Sequence, residues 1–435
     1  MADLRILIDK LAFGGSGIGR IDGKVCFVPY SCPGDELHVA ITAQKRSYLT
    51  GSITEIISPS LHRTAPACPL FGMCGGCDWQ HIQYEQQKEA KRQILADALW
   101  RGARVSGDLV REVVGSPLQY GYRNRVQFKL HQSAKTLQIG FFRHGSHMVV
   151  DAPQGCPIAL PGINESLVML RTVMAAFTDP ENIPQINIES AEQGIIAIVH
   201  YAGQERDRAA AFFQRHQAGL TPLTGLYLRT GRNSSLRKVY GDDELIYHLS
   251  AGAGKQCALG FRPGGFSQVN AVQNRAMLDL VRSLAQFGGA EQVLDLYCGN
   301  GNFSLPVAHE VAGVTGIEEN PDSIAAAIDN ARRNGLANTH FLVADASCGA
   351  RRLADEGRFF DTVIIDPPRS GALETVKEIC RLMPGKVIYI SCDPATLSRD
   401  CGLFAEKGYQ VRVSVPVDMF PQTYHLESVT LLEQG

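Results

Sequence analysis

Between residues 293 and 391 the chain repeats one unit: a short apolar run, then a stretch that suits a helix. The runs are Val293-Leu-Asp-Leu296, Val314-Thr-Gly-Ile-Glu318, Phe341-Leu-Val-Ala-Asp345, Thr362-Val-Ile-Ile-Asp366 and Lys386-Val-Ile-Tyr-Ile-Ser391. Near-continuous apolar strands must be covered on both faces, and parallel strands need long crossovers, which helices supply. The repeat therefore predicts a parallel, doubly wound α/β sheet, Rossmann-like in kind. In such sheets ligands bind just beyond the carboxyl ends of the strands. The residues that follow each run are therefore the candidates for chemistry.

After the first run comes Tyr297-Cys-Gly-Asn-Gly-Asn302, a Gly-rich turn into a helix. Its glycines are Gly299 and Gly301, and Ser304 stands where a dinucleotide fingerprint carries its third glycine. The second run ends in Glu318, about 20 residues on, where this topology reads a ribose hydroxyl. A ribose reader without a pyrophosphate site favours S-adenosylmethionine over NAD. The last run ends in Ser391-Cys-Asp-Pro394, so the thiol of Cys392 stands where a nucleophile would. Asp366-Pro-Pro-Arg369 closes the fourth run. Amino-methylating enzymes carry a stacking aromatic where Arg369 stands, which argues against N-methylation. Glu427, at the start of a final strand, would pair with Cys392 as base to nucleophile if both face one cleft.

Upstream, Cys68-x5-Cys74-x2-Cys77 sits among Gly72, Gly75 and Gly76, and Cys156 follows in Pro153-Gln-Gly-Cys-Pro157. Four thiolates suit a [4Fe-4S] cluster or structural zinc. Zinc ribbons usually bring two close pairs, and Cys156 has no near partner, which favours the cluster. Cys26, Cys32 and Cys257 read as small buried residues. The first 62 residues hold short strands punctuated by Gly and Pro, with Asp22-Gly23 as a tight turn, and predict a small β-barrel. Residues 84–101 read as a helix whose Lys88, Lys91 and Arg92 could meet phosphate. Arg123 and Arg125, set among aromatics, suit RNA contact.

Composition bounds these readings. A chain of 435 residues with 45% hydrophobic and 20% charged content is an ordinary globular protein of several domains. No apolar run approaches the ~18 residues of a membrane span. The start of the sequence lacks a secretory h-region. With twelve cysteines, this points to a reducing, cytoplasmic setting. Residues 61–150 carry twelve Lys and Arg against six Asp and Glu, on an otherwise acidic chain. A basic middle is compatible with nucleic acid.

Together the motifs resemble the RNA uracil-5-methyltransferases, in particular their TRAM-bearing, iron–sulfur branch acting on 23S ribosomal RNA. The N-terminal part resembles a TRAM domain through Gly17-Ile-Gly-Arg20, Asp22-Gly-Lys24, Phe27-Val-Pro29 and Pro33-Gly-Asp35. The remainder resembles the family through Phe266-Ser-Gln-Val-Asn270, Asp366-Pro-Pro-Arg369, Ser391-Cys-Asp-Pro394, Phe420-Pro-Gln-Thr-x-His-x-Glu427 and the cysteine quartet. The resemblance implies an OB-like barrel over 1–62 and a central α/β domain with the cluster over 63–265. A methyltransferase domain over 266–435 completes the chain. It implies Cys392 as nucleophile and Glu427 as base. Gln268, Tyr297, Asn302, Glu318, Asp345 and Asp366 would contact S-adenosylmethionine, and Cys68, Cys74, Cys77 and Cys156 would hold [4Fe-4S]. The chain is expected to be a monomer that meets 23S rRNA and no membrane. The tRNA-specific branch is expected to match only the last third. Two alternatives stand: a tRNA uracil-5-methyltransferase, and a non-catalytic iron–sulfur RNA-binding protein.

Overall fold

The first five strands close into a barrel in the order β1-β2-β3-β5-β4. They are β1 Leu4–Leu11, β2 Gly17–Ile21, β3 Lys24–Val28, β4 Glu36–Gln44 and β5 Tyr48–Ser58. The computed structural model describes residues 4–133, 136–231, 236–252 and 254–435. Alternate residues of each strand fill the barrel, among them Ile6, Ile8, Val28, Leu37 and Val39. Asp22 and Gly23 both take positive φ, the backbone a two-residue hairpin requires. In the Gly14–Gly19 stretch, Gly17 and Gly19 are there for packing. A Cβ on Gly19 would lie 2.2 Å from the Leu7 carbonyl, where β1 shifts register between Ile8 and Lys10. Strand β1 itself was not foreseen in the sequence.

A 20-residue helix, α1 Tyr84–Ala103, follows. Its buried face is Gln87, Ala90, Lys91, Ile94, Leu95 and Leu99, a stripe at three- and four-residue spacing. Lys91, read as one of a charged face that could meet phosphate, is instead fully buried against Asp418 at 2.6 Å. Removing one member of such a pair costs about 3–5 kcal/mol, because it strands the other charge away from water. Lys88 and Arg92 pair with Glu85 and Glu89 one turn earlier. Leu95 and Leu99 share a core with Val363, Leu397 and Phe404, so α1 is packed onto the C-terminal sheet.

The central sheet is built from β6 Arg125–Gln132, β7 Leu137–Phe142, β8 Val149–Asp151, β9 Gln185–Ala191, β10 Gly194–His200, β11 Leu223–Arg229 and β12 Leu236–Tyr240. Their order is β12-β11-β10-β9-β6-β7-β8. Helices α2 Pro161–Met174 and α3 Arg206–Arg215 cover one face through Leu167, Leu170, Ala209 and Phe213. Arg125 is spent inside this region: it donates to the Gly265 carbonyl at 2.5 Å and lies beside Glu189 at 3.3 Å. A hairpin, β13 Leu245–Ser250 with β14 Gln256–Phe261, and α4 Ala271–Ala285 lead into the last sheet.

That sheet carries β15 Gln292–Leu296, β16 Gly313–Glu318, β17 Thr339–Val343, β18 Thr362–Ile365, β19 Lys386–Ser391, β20 Tyr409–Val417 and β21 Glu427–Gln434. Between them lie α5 Ser304–Ala308, α6 Pro321–Arg333, α7 Ala346–Asp355, α8 Leu373–Leu382 and α9 Pro394–Glu406. The order is β17-β16-β15-β18-β19-β21-β20, with β15 to β19 parallel. Strand β21 runs antiparallel between β19 and β20. The direction of travel reverses between β15 and β18, which is the switch point where a ligand is expected.

Candidate active site

The strand ends at the switch point collect the chemistry. Tyr297 follows β15, Glu318 ends β16, Asp345 follows β17, Asp366 follows β18 and Cys392 follows β19. Strand β19 stops where it does because Asp393 caps α9, accepting from Ala395 N at 2.9 Å and Thr396 N at 3.0 Å, with Pro394 in the first turn. Ser391 pairs in register with Ser428. Because β21 is antiparallel, that pairing puts Glu427, at the beginning of its strand, beside Cys392, just past the end of the other.

The electrostatics agree with this placement. Burial pushes the Cys392 thiol up to about 12, and the carboxyls of Glu427 and Asp366 push in the same direction, while Arg369 opposes them. Burial also raises Glu427 well above its ordinary value; Asp366 adds to this, and Arg369 and Lys91 oppose it. Asp366 is pushed up to about 7 by burial and then by Asp295. A thiol and two carboxyls crowded into low dielectric hold their protons until a positive charge enters. This gives a direct expectation. At neutral pH, iodoacetamide should label the exposed Cys348 well before Cys392, and Cys392 labelling should climb as pH rises toward 12. Preferential labelling of Cys392 at pH 7, read by peptide mass spectrometry, would contradict it.

The cofactor side of the cleft is the turn after β15. Tyr297 takes φ +64, and Gly299 and Gly301 take φ +55 and +91. A Cβ on Gly299 would meet nothing within 4 Å, so its backbone borders open space. Glu318 accepts from Gly299 N at 3.3 Å and Asn320 N at 2.9 Å, which ties the acidic strand end to the Gly turn. The Tyr297 hydroxyl lies 2.8 Å from that of Thr375. Asp345 caps α7 through Ser347 N and Cys348 N, and hydrogen bonds from this turn hold its carboxyl below its ordinary range. Asn302 exchanges hydrogen bonds with Asn274 at 2.9 Å in both directions. Asn274 and Gln268 line one cavity of about 240 Å³ together with Tyr247 and Phe261. The structure thus brings five of the six expected cofactor residues to one sheet edge and Gln268 to its flank.

The four cysteines also meet. Cys68, Cys74, Cys77 and Cys156 line a single cavity of about 320 Å³ beside Gln80, Arg123 and His425. Backbone hydrogen bonds position two of them: Cys74 N donates to Leu70 O, with the adjacent Gly75 N donating to Phe142 O, and Cys68 N donates to the Gln80 side chain. Asn164 clasps Cys156 through both its amide and its carbonyl. Burial raises Cys74 to about 11 and Cys77 to about 12, and each feels the other thiols. Among the described residues, however, no three His, Cys, Asp or Glu side chains are drawn together closely enough to hold a metal ion. The cysteines ring a space rather than converge on a point.

The sequence reading missed what holds Glu427 in place. Residues 418–426 link β20 to β21 as a strap beneath the cleft. Gln422 accepts from Asp78 N and Trp79 N through its carbonyl and exchanges hydrogen bonds with the Gln87 side chain. Lys91 donates to Asp418 and to the Phe420 carbonyl, and the Tyr122 hydroxyl to the Pro421 carbonyl. The stripe Gln87, Lys91, Leu95, Leu99 was the available signal: a lysine in register with buried leucines belongs to the inner face.

A doubly wound sheet with one reversed strand, an acidic second strand end and a thiol at the fifth defines a methyltransferase architecture of the S-adenosylmethionine-dependent kind. Comparison with known proteins takes this further. Residues 83–435 match the tRNA (Uracil-5-)-methyltransferase family, and residues 2–54 match the TRAM domain. The chain belongs to that family. A relative from Shewanella amazonensis is 35% identical over 99% of this chain and 95% of its own, and is described as 23S rRNA (uracil(1939)-C(5))-methyltransferase RlmD. One from Stenotrophomonas maltophilia, with the same description, is 35% identical over 98% and 96%. Among solved structures, Pyrococcus abyssi tRNA (uracil-54, C5)-methyltransferase in complex with S-adenosyl-L-homocysteine superposes with a TM-score of 0.76 at 25% identity, covering 99% of this chain and all of that one. This corrects the expectation that tRNA-directed enzymes match only the last third. The same barrel-to-sheet architecture is thus found in a structure described as a tRNA enzyme.

Proposed function

We propose that this protein methylates C5 of a uridine in 23S rRNA, with S-adenosylmethionine as methyl donor. The observation that carries the reading is the Ser391–Ser428 register, which sets the Cys392 thiol beside the Glu427 carboxyl. C5 of uracil is a poor nucleophile. The Cys392 sulfur adds to C6 and turns C5 and O4 into an enolate. C5 then takes the methyl carbon as the sulfonium–carbon bond breaks, leaving S-adenosylhomocysteine. Glu427 removes the C5 proton, the C6–sulfur bond breaks, and thiolate and 5-methyluridine are released. The target base must leave its stack for C6 to reach the thiol. Gln268, Tyr297, Asn302, Glu318, Asp345 and Asp366 are the proposed donor contacts. The entering sulfonium charge favours the ionised forms of Asp366, Glu427 and Cys392, so that Glu427 is a carboxylate when the C5 proton leaves.

The ribosomal reading rests on full-length relatives at 35% identity against a tRNA enzyme at 25%. Mapping 5-methyluridine in ribosomal and transfer RNA from cells with and without the protein tests it. A site lost from 23S rRNA is expected; a site lost from tRNA alone would overturn the choice. The proposed division is a TRAM barrel over 1–62, a central α/β unit over 63–265 and the methyltransferase unit over 266–435. No described helix is long and apolar enough to cross a membrane. A cytoplasmic monomer is the proposed state.

Four thiols ringing one cavity, without an acid among them, suit a multi-atom iron–sulfur group better than one small ion. Cys68, Cys74, Cys77 and Cys156 would hold it, and it would supply rigidity next to His425 of the strap. No electron transfer enters the chemistry above. Protein purified without oxygen is expected to carry about four iron atoms per chain, and Cys156→Ser to lose them. A colourless, zinc-loaded protein would sink the assignment.

A further inference from the structure

The strap that ends in Glu427 is held by one charged side chain that no step of the chemistry uses. Lys91 is buried completely on α1, donates to Asp418 at 2.6 Å and to the Phe420 carbonyl at 3.1 Å, and lies 5.7 Å from the centre of the Trp79 ring. Burying an ammonium is costly, and an apolar or amide side chain would fill the same space more cheaply. Gln87, one turn earlier, already shows that an amide can tie the strap. Two cations bear on Glu427: Arg369, which is exposed, and Lys91, which is fixed. The other charged and titratable groups facing Glu427 are Asp366 and Cys392; Lys91 itself faces Asp418, Asp78 and Glu427.

We propose that Lys91 is a positioning residue for the base: through Asp418 and the Phe420 carbonyl it fixes the strap that presents Glu427 when the C5 proton leaves. The proposal rests on Glu427 being that base. Its effect belongs to the second half of the reaction, after the methyl group has moved, and not to RNA binding.

The test compares Lys91→Gln, Lys91→Arg and the double variant Lys91→Gln with Asp418→Asn, using Glu427→Gln as reference. The double variant removes both members of the buried pair and leaves no stranded charge. Folding is followed by thermal melting, and turnover by kcat and KM on a 23S rRNA fragment. The covalent RNA–protein species surviving SDS is counted at steady state. The expected result is a folded double variant with KM within about twofold of the parent and kcat lowered about 10²-fold, the scale of a displaced catalytic group. The SDS-stable species should accumulate, and Lys91→Arg should restore part of the rate. Parental kcat in the double variant overturns the proposal, as does a fall in kcat without accumulation, or failure of the double variant to fold. If Glu427→Gln itself turns over normally, the reading beneath fails instead, and the two failures are distinguishable.

Discussion

Replacing Cys392 by Ala is expected to abolish methyl transfer, by about 10⁴-fold or more, while leaving the protein folded and able to bind S-adenosylmethionine. The size follows from the route. Without addition at C6 there is no enolate, and no other group at the strand ends can supply one. Removing the nucleophile of a covalent mechanism removes the path and not merely a contact. The fold should tolerate the change. Cys392 is only partly buried, and the turn is set by the Asp393 cap and Pro394, which stay. Filter binding of labelled donor, thermal melting and methyl incorporation separate these outcomes. RNA substituted with 5-fluorouridine adds a second readout, since fluorine at C5 cannot leave as a proton and the adduct is caught. The parent should show the adduct on the peptide carrying Cys392, and the Ala variant should show none. Turnover in the Ala variant, or an adduct on Cys348, would end the covalent account.

The sequence made the proposed nucleophile, Cys392, legible and left its proposed partner half hidden, for physical reasons. Cys392 ends a run whose period, length and Asp-Pro stop are all local. Glu427 lies beside it only because β21 inserts antiparallel between β19 and β20, a long-range pairing that no local pattern encodes. The parallel strands β15 to β19 could be read one after another because each carries its own crossover helix. The central sheet could not, since β6 pairs with β9 across a helix and some fifty intervening residues. Charge misled at Arg125, which is spent on Gly265 and Glu189, and at Lys91, which read as a phosphate-facing residue whereas its helical register with Leu95 and Leu99 turns it inward. Loop chemistry, a Gly before and a Pro after, grouped Cys156 with the other three cysteines, and all four line one cavity although its loop is remote in sequence.

Glu427→Gln should fail differently from Cys392→Ala, and the difference is the sharper test of the site. The amide keeps the shape of the strap end and the Ser391–Ser428 register, but it accepts no proton. Addition at C6 and methyl transfer can still occur once. The C5 proton then has nowhere to go, elimination stalls, and the enzyme remains joined to methylated RNA. The expected result is a loss of steady-state turnover of about 10²- to 10⁴-fold, the range assigned to a positioned general base. An SDS-stable RNA–protein species should build up at close to one per enzyme. Its mass should include the transferred methyl group, which places the block after transfer. Cys392→Ala forms no such species, and combining the two substitutions should abolish it, because the linkage needs the sulfur. Glu427→Gln that turns over freely would show that another group, such as the Asp366 carboxyl that bears on it, takes the proton. A dead variant with no trapped species would place Glu427 before bond formation and remove it from the role of base.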